Sequence, residues 1–291
     1  MPRLSIRTDA TPGLVRHDHR MAVFNDSVTR PRTGFAYLDE PRGVIPFAHR
    51  GGAFHPEIEG LENTLAAFRH AVDLGYRYLE TDVHATRDGS LLAFHDTVLD
   101  RVTDRAGQVA QLSRDEVQSA LIGGRENVPT LAQLFDEFPE ARFNIDIKAR
   151  GAIRPLADFV RARRAEDRVL VGSFVAAHLG AFRELTGGRV ATGAHPLEVA
   201  AYAVGPAARV ADRLTRGRPS ALQVPHRRGR LPVTTRALVR RAHAAGKHVH
   251  VWTIDDPAEM HELLDLGVDG LMTDRTDILR RVLIERGQWE G

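Results

Sequence analysis

From Val44 onward, short apolar runs alternate with amphipathic segments in a regular order. Residues 44–48 form the first run, and residues 63–74 then place Leu65, Phe68 and Val72 at i, i+3 and i+7, the spacing of one helical face. Residues 76–83 predict a second strand, and Asp88-Gly89 predicts a short hairpin whose second arm covers 90–94. The rhythm then repeats. Thr130 and Gln133 have capping-box spacing and open a helix through Phe138, followed by strand 142–147 and helix 153–164. Strand and helix pairs follow at 168–173 and 176–185, at 189–193 and 197–204, and at 220–224 with a helix through Ala245. Strand 247–253 with a helix from Pro257, and strand 268–272 with helix 276–285, complete the series. The Arg-, Gly- and Pro-rich stretches 213–219 and 227–230 read as loops. Eight strands, each followed by a helix, with one small hairpin inserted after the second, predict a single (β/α)8 barrel of the α/β class. An open doubly wound sheet over about 250 residues would more often divide in two. Residues 1–43 lack sustained periodicity and read as an N-terminal extension over a barrel domain of residues 44–291. Residues 1 to about 33 are expected to be dispensable for activity, whereas Phe35, Tyr37 and Leu38 look like anchors.

Composition narrows the function. With 43% hydrophobic and 27% charged residues in 291, the chain can enclose a large core. Forty Lys and Arg stand against 38 Asp and Glu, interspersed, for a formal charge of +2, which gives no nucleic-acid footprint. The absence of cysteine removes disulfides, thiolate catalysis and Cys metal sites. No apolar run approaches the roughly 20 residues that span a bilayer, so a soluble cytoplasmic protein without stable membrane insertion is expected. Lysine occurs only at Lys148 and Lys247; a lysine where arginine serves elsewhere marks a place that a guanidinium does not fit, with chance as the plain alternative.

Active sites of such barrels lie at the C-terminal ends of the strands. The first strand ends in His49-Arg50-Gly51-Gly52, and in the second Glu80 and Asp82 share a face above Tyr78 and Tyr76. The third ends Asp146-Ile147-Lys148, the hairpin ends His95-Asp96, and the seventh strand contributes Trp252. Three converging carboxylates repel one another unless a cation lies between them, and oxygen-only ligands suit Mg2+ or Ca2+. With two histidines and an arginine alongside, the set has the parts for metal-assisted phosphoryl chemistry. Each part also has a plainer reading: Glu80 and Asp82 as a salt-bridged strand terminus, the histidines as structural hydrogen-bonding groups, and Arg50 as the partner of Glu62.

The ordered set His49-Arg50-Gly51-Gly52, Glu62-Asn63-Thr64, Glu80-Thr81-Asp82-Val83-His84 and His95-Asp96 with Leu99-Asp100-Arg101 resembles the glycerophosphodiester phosphodiesterase family. Pro129-Thr130-Leu131, Asn144-Ile145-Asp146-Ile147-Lys148, Val251-Trp252-Thr253 and Gly267-Val268-Asp269-Gly270 with Thr273-Asp274 continue it in order, over residues 44–283. The resemblance implies a TIM barrel that hydrolyses glycerophosphodiesters to sn-glycerol 3-phosphate and an alcohol with one divalent cation, Ca2+ or Mg2+. It implies Glu80, Asp82 and Asp146 as metal ligands and His49 and His95 as the general acid/base pair. Arg50 and Lys148 would bind the phosphate, Trp252 would wall the glycerol, and Glu62 would orient Arg50 or touch the cation. Asn63 and Thr64 need no role beyond capping the next helix, and His84 reads as structural, on the face opposite Glu80 and Asp82 or just past the strand end.

Two departures stand out: Asp146 where the family commonly has Glu, and Asp255, read as a helix cap, where Asn is frequent. The rival activity is phospholipase D-like cleavage of lysophospholipids, with Phe54, Phe94 and Trp252 as a candidate acyl groove. A non-catalytic barrel would have lost a histidine or carboxylate of the set, and none is missing. A sugar isomerase would leave Arg50 and Lys148 without a purpose.

Overall fold

The computed structural model describes residues 30–41, 43–205 and 207–290. The first half of the barrel comprises β1 (Ile45–His49), α1 (Leu65–Asp73), β2 (Tyr78–Ala85), α2 (Leu131–Glu137), β3 (Arg142–Ile147), α3 (Ile153–Arg163), β4 (Val169–Gly172) and α4 (Ala176–Leu185). The second half comprises β5 (Ala191–Thr192), α5 (Pro196–Val204), β6 (Ala221–Pro225), α6 (Arg236–Ala244), β7 (His248–Trp252), α7 (Pro257–Leu266), β8 (Gly270–Thr273) and α8 (Thr276–Glu285). The strands pair in parallel from β5 back to β1 and on through β8 and β7 to β6, and a parallel bridge between Gly193 and Ala221 closes the ring. This is the expected (β/α)8 barrel.

Two apolar layers explain the closure. The outer faces of the strands pack on the helices through residues such as Leu79, Phe143, Val171 and Leu222, while Ile45, Phe47, Tyr78, Leu170 and Met272 fill the interior. Strands buried on both faces read as continuous apolar runs, which is why the sequence located them. Tyr76 departs from its expected place below Glu80: it precedes β2, packs in the outer layer, and donates its hydroxyl to the Thr276 carbonyl at 2.8 Å.

The insertion after β2 is larger than a hairpin. Leu91–Ala93 pairs antiparallel with the end of β2. The chain then forms a short helix, Arg114–Gln118, and a two-stranded ribbon of Leu121–Ile122 with Glu126–Asn127 around an apolar cluster including Leu92, Leu99 and Val117. Elements of two to five residues are too short to show a period, so the sequence concealed them. Two stretches read as loops also carry structure. Ala208–Thr215 is an additional helix whose end takes in the start of the 213–219 stretch, and Arg227–Arg228 pairs with Leu231–Pro232 as a small hairpin after β6.

Residues 30–41 cross the N-terminal mouth of the barrel, and residues 1–29 of the expected extension lie outside the described residues. Tyr37 and Leu38 are fully buried in the interior cluster, and the Tyr78 hydroxyl donates to the Tyr37 carbonyl at 2.8 Å. Arg30 donates to the Pro41 carbonyl at 2.9 Å, contacts His248 Nδ1 at 3.1 Å and lies 3.5 Å from Asp269. Position 30 therefore belongs to the plug, short of the boundary near 33 expected for a dispensable arm.

Candidate active site

The turn after β1 aims the first two site residues. Arg50, Gly51 and Gly52 all adopt left-handed backbone, with φ of 50°, 87° and 90°. A Cβ on Gly51 would come within 2.7 Å of Ala67 in α1, and one on Gly52 within 2.7 Å of Thr276 in α8, so only glycine lets the turn sit between both helices. The Gly52 amide donates to the His49 carbonyl at 2.8 Å and the Asn63 amide to the Arg50 carbonyl at 2.9 Å. The same turn brings the Arg50 amide to Glu80 Oε2 at 3.2 Å.

Pleating and register bring the carboxylates together. Glu80 and Asp82 alternate on β2, and Asp82 stands beside Asp146 in the pairing of β2 with β3. Asp82 is almost completely buried, with Lys148 Nζ at 2.8 Å and Arg50 Nε at 3.1 Å as ion-pair partners and Asn63 Nδ2 donating to it at 3.1 Å. Burial alone would raise its pKa, but Lys148 and Arg50 outweigh burial and hold the carboxyl below the ordinary range. Glu80 is the opposite case. Burial first, and then repulsion from Asp82, push its carboxyl up to about 7, and its nearest side-chain cation is His49 Nε2 at 3.7 Å. Lys148 Nζ also lies 2.7 Å from Asp146 Oδ2, bridging two of the three carboxylates. Among the described residues no three carboxylate or imidazole side chains form a ready ion cage. The donor chemistry nonetheless fits a hard cation: three carboxylates on adjacent strands, one of them buried and short of positive charge.

Both imidazoles are oriented by aspartates. His49 Nδ1 lies 2.7 Å from Asp274 Oδ1, which turns Nε2 toward Glu80. Burial would lower the pKa of His49, but Glu80 and Asp274 raise it to about 9. His95 Nδ1 lies 2.6 Å from Asp96 Oδ1, and His84 Nε2 donates to the His95 carbonyl at 3.0 Å. Because β2 continues through Ala85, His84 follows Glu80 and Asp82 in the alternation instead of lying opposite them, which corrects the sequence reading. Arg101 joins the two ends of the site: its Nε reaches Asp96 at 2.5 Å and its other nitrogens clamp Glu62 at 2.6 and 2.8 Å. Glu62 in turn accepts from Arg50 at 3.1 Å. Glu62 thus sits behind Arg50 and holds it.

The expected catalytic, metal and phosphate-site residues His49, His95, Glu80, Asp82, Asp146, Arg50, Lys148 and Trp252 line a single cavity of about 840 Å3. Sequence reasoning missed several supports. Asn63 does not cap the helix; Thr64 does, accepting from the Ala67 amide, while Asn63 adopts φ of 59° and bonds Asp82 and Thr81. Asp255 is not the cap of α7 either: Asp256 is, and Asp255 accepts from the Thr273 hydroxyl and the Asp274 and Arg275 amides. Asp274 was marked in the sequence only as part of the Thr273-Asp274 motif, with no role attached to it. The apolar wall is not the expected one. Phe94 is buried in the insertion, Phe54 lies outside the cavity lining, and Trp252 meets the Phe174 ring edge-on at 5.7 Å beside Val199, Ala200 and Val233.

Fold and site together define a (β/α)8-barrel hydrolase with the equipment to handle a phosphate ester. A model of the glycerophosphoryl diester phosphodiesterase family matches residues 49–278. The chain is 43% identical over 254 residues to a probable glycerophosphodiester phosphodiesterase 2 of Mycobacterium tuberculosis, covering 86% of this chain and 94% of that one. Among solved structures, a phosphodiesterase family protein of Silicibacter pomeroyi superimposes with a TM-score of 0.70 at 23% identity, covering 87% of this chain and 99% of the other. An Oleispira antarctica phosphodiesterase, solved with its product sn-glycerol-3-phosphate, gives 0.68 at 22%, covering 83% and 97%. The chain belongs to the glycerophosphoryl diester phosphodiesterase family. Its activity is that of a glycerophosphodiester phosphodiesterase.

Proposed function

We propose that the cavity hydrolyses glycerophosphodiesters to sn-glycerol 3-phosphate and an alcohol, with a divalent cation and two histidines. The observation that carries this reading is the convergence of two aspartate-oriented imidazoles, Arg50 and three carboxylates in one cavity. Glu80, Asp82 and Asp146 would hold Ca2+ or Mg2+, which when bound supplies positive charge to the phosphodiester oxygens. Arg50 binds the same anion, locked in place by Glu62, and Lys148 is the second cation within reach of it. His49, with Nδ1 held by Asp274, presents Nε2 to the cavity and donates from it to the leaving alkoxide. His95 takes the proton of the nucleophile through its Nε2, its Nδ1 being committed to Asp96. Trp252 walls the glycerol side. Residues 44–291 are the catalytic domain and residues 1–43 an extension of it.

A second reading, phospholipase D-like cleavage of lysophospholipids, draws on the apolar wall of Phe174, Val199, Ala200 and Val233, which exceeds the needs of a glycerol alone. Purified protein assayed on glycerophosphocholine and lysophosphatidylcholine in Ca2+, Mg2+ or EDTA tests both readings. Turnover requires the cation and is lost reversibly in EDTA; full turnover by metal-free protein in excess EDTA overturns the metal assignment.

A further inference from the structure

The apolar wall of the cavity does not end inside it. Phe174 and Arg228 line the cavity and also reach its rim. Phe174 is 59% exposed, and the adjoining Val175 is exposed as well. On the next element Pro196 and Val199 face the cavity, while Leu197 between them is 74% exposed. On the hairpin after β6, Arg228 stands opposite Leu231, which is 73% exposed. Soluble proteins seldom gather large exposed apolar side chains on one sector without a partner for it.

The hairpin tip itself carries only positive charge, with Glu259 and Glu262 of α7 at its base beside His226 and Arg227. Arg227, Arg228 and Arg230 lie on the six-residue tip formed by residues 227–232. Arg227 pairs with Glu262 at 3.4 Å, but Arg228 and Arg230 make no ion pair among the described residues. Glu198, the nearest acidic residue of α5, is buried against Arg183 at 2.7 Å and offers nothing to the surface. Apolar tips interleaved with unpaired arginines complement a surface that is anionic outside and apolar beneath.

We propose that this sector, the hairpin tip with Phe174, Val175 and Leu197, docks on an anionic phospholipid surface, with the mouth of the cavity against the lipid. An amphiphilic phosphodiester could then pass from the bilayer along a continuous apolar wall to the histidines. The docking stands apart from the chemistry; only its bearing on substrate rests on the phosphodiesterase reading.

The test uses the full-length protein and vesicles of phosphatidylglycerol mixed with phosphatidylcholine, with pure phosphatidylcholine vesicles and RNA as alternatives. The wild type sediments with the anionic vesicles at low salt, less with the zwitterionic ones, and releases as salt rises. Each arginine near such a surface is worth about fivefold in partitioning, so Arg230→Glu with Leu231→Asp should lower vesicle binding by roughly tenfold or more. Turnover of water-soluble glycerophosphocholine should stay unchanged, which also shows that the variant is folded, while turnover of vesicle-borne lysophospholipid falls. Leu197→Asp, on a different element, should weaken binding in the same direction. Failure of the wild type to bind anionic vesicles, binding by both variants equal to wild type, or retention on RNA in preference to vesicles overturns the proposal. A protein that binds vesicles through this tip but hydrolyses nothing supports the docking and contradicts the catalytic reading instead.

Discussion

The 2.7 Å contact between His49 Nδ1 and Asp274 Oδ1 decides which imidazole nitrogen is presented to the cavity. Asp274→Asn keeps the shape but loses the carboxylate that holds Nδ1 protonated, so turnover should fall by about 10²-fold to 10⁴-fold with a smaller change in KM. Steady-state kinetics check this, and near-native turnover would make Asp274 merely structural. At Asp146 two readings compete, since Lys148 lies 2.7 Å away. If Asp146 binds the cation, Asp146→Asn lowers turnover by orders of magnitude and millimolar cation partly restores it, whereas Asp146→Glu does less harm. Lys148→Met should not respond to added cation. A titration that rescued neither variant, or both alike, would remove Asp146 from the metal. The charged residues of the proposed chemistry were legible because each sits at or just past a strand end. The roles of Asn63, Asp255 and Asp274 were not, because they are contacts across 18 to 225 positions of sequence that no local pattern announces.

The turn from His49 to Gly52 shows how an element carries the site. Gly51→Ala would force a Cβ against Ala67 at 2.7 Å in a left-handed backbone. It should destabilise the fold by about 2–4 kcal/mol, overpacking adding to the backbone penalty, as read from urea unfolding. The variant should also lose turnover beyond its loss of folded protein, because His49 and Arg50 ride on that turn; turnover scaling only with the folded fraction would contradict this. The barrel strands were legible as continuous apolar runs. The helix Ala208–Thr215 was not, since Val210 and Leu214 point to solvent while Ala211 and Thr215 provide its buried side. Its apolar residues therefore do not mark the face that packs.

At the scale of the molecule, the two ends of the barrel divide the work. The N-terminal mouth is sealed by Tyr37 and Leu38, far along the strands from the histidines. Tyr37→Ala should cost about 3–5 kcal/mol of stability, the usual range for removing a buried aromatic, while leaving turnover of the folded enzyme unchanged. Thermal unfolding together with kcat checks it, and a fully stable but inactive variant would contradict the division. In the proposed function the C-terminal mouth holds the chemistry, and the central claim is that it cuts the phosphodiester on the side that leaves phosphate on the glycerol. Phosphorus NMR of glycerophosphocholine turning over on the cation-loaded protein reads this directly. The account predicts a growing resonance of sn-glycerol 3-phosphate as the diester signal declines; phosphocholine appearing in its place would contradict it.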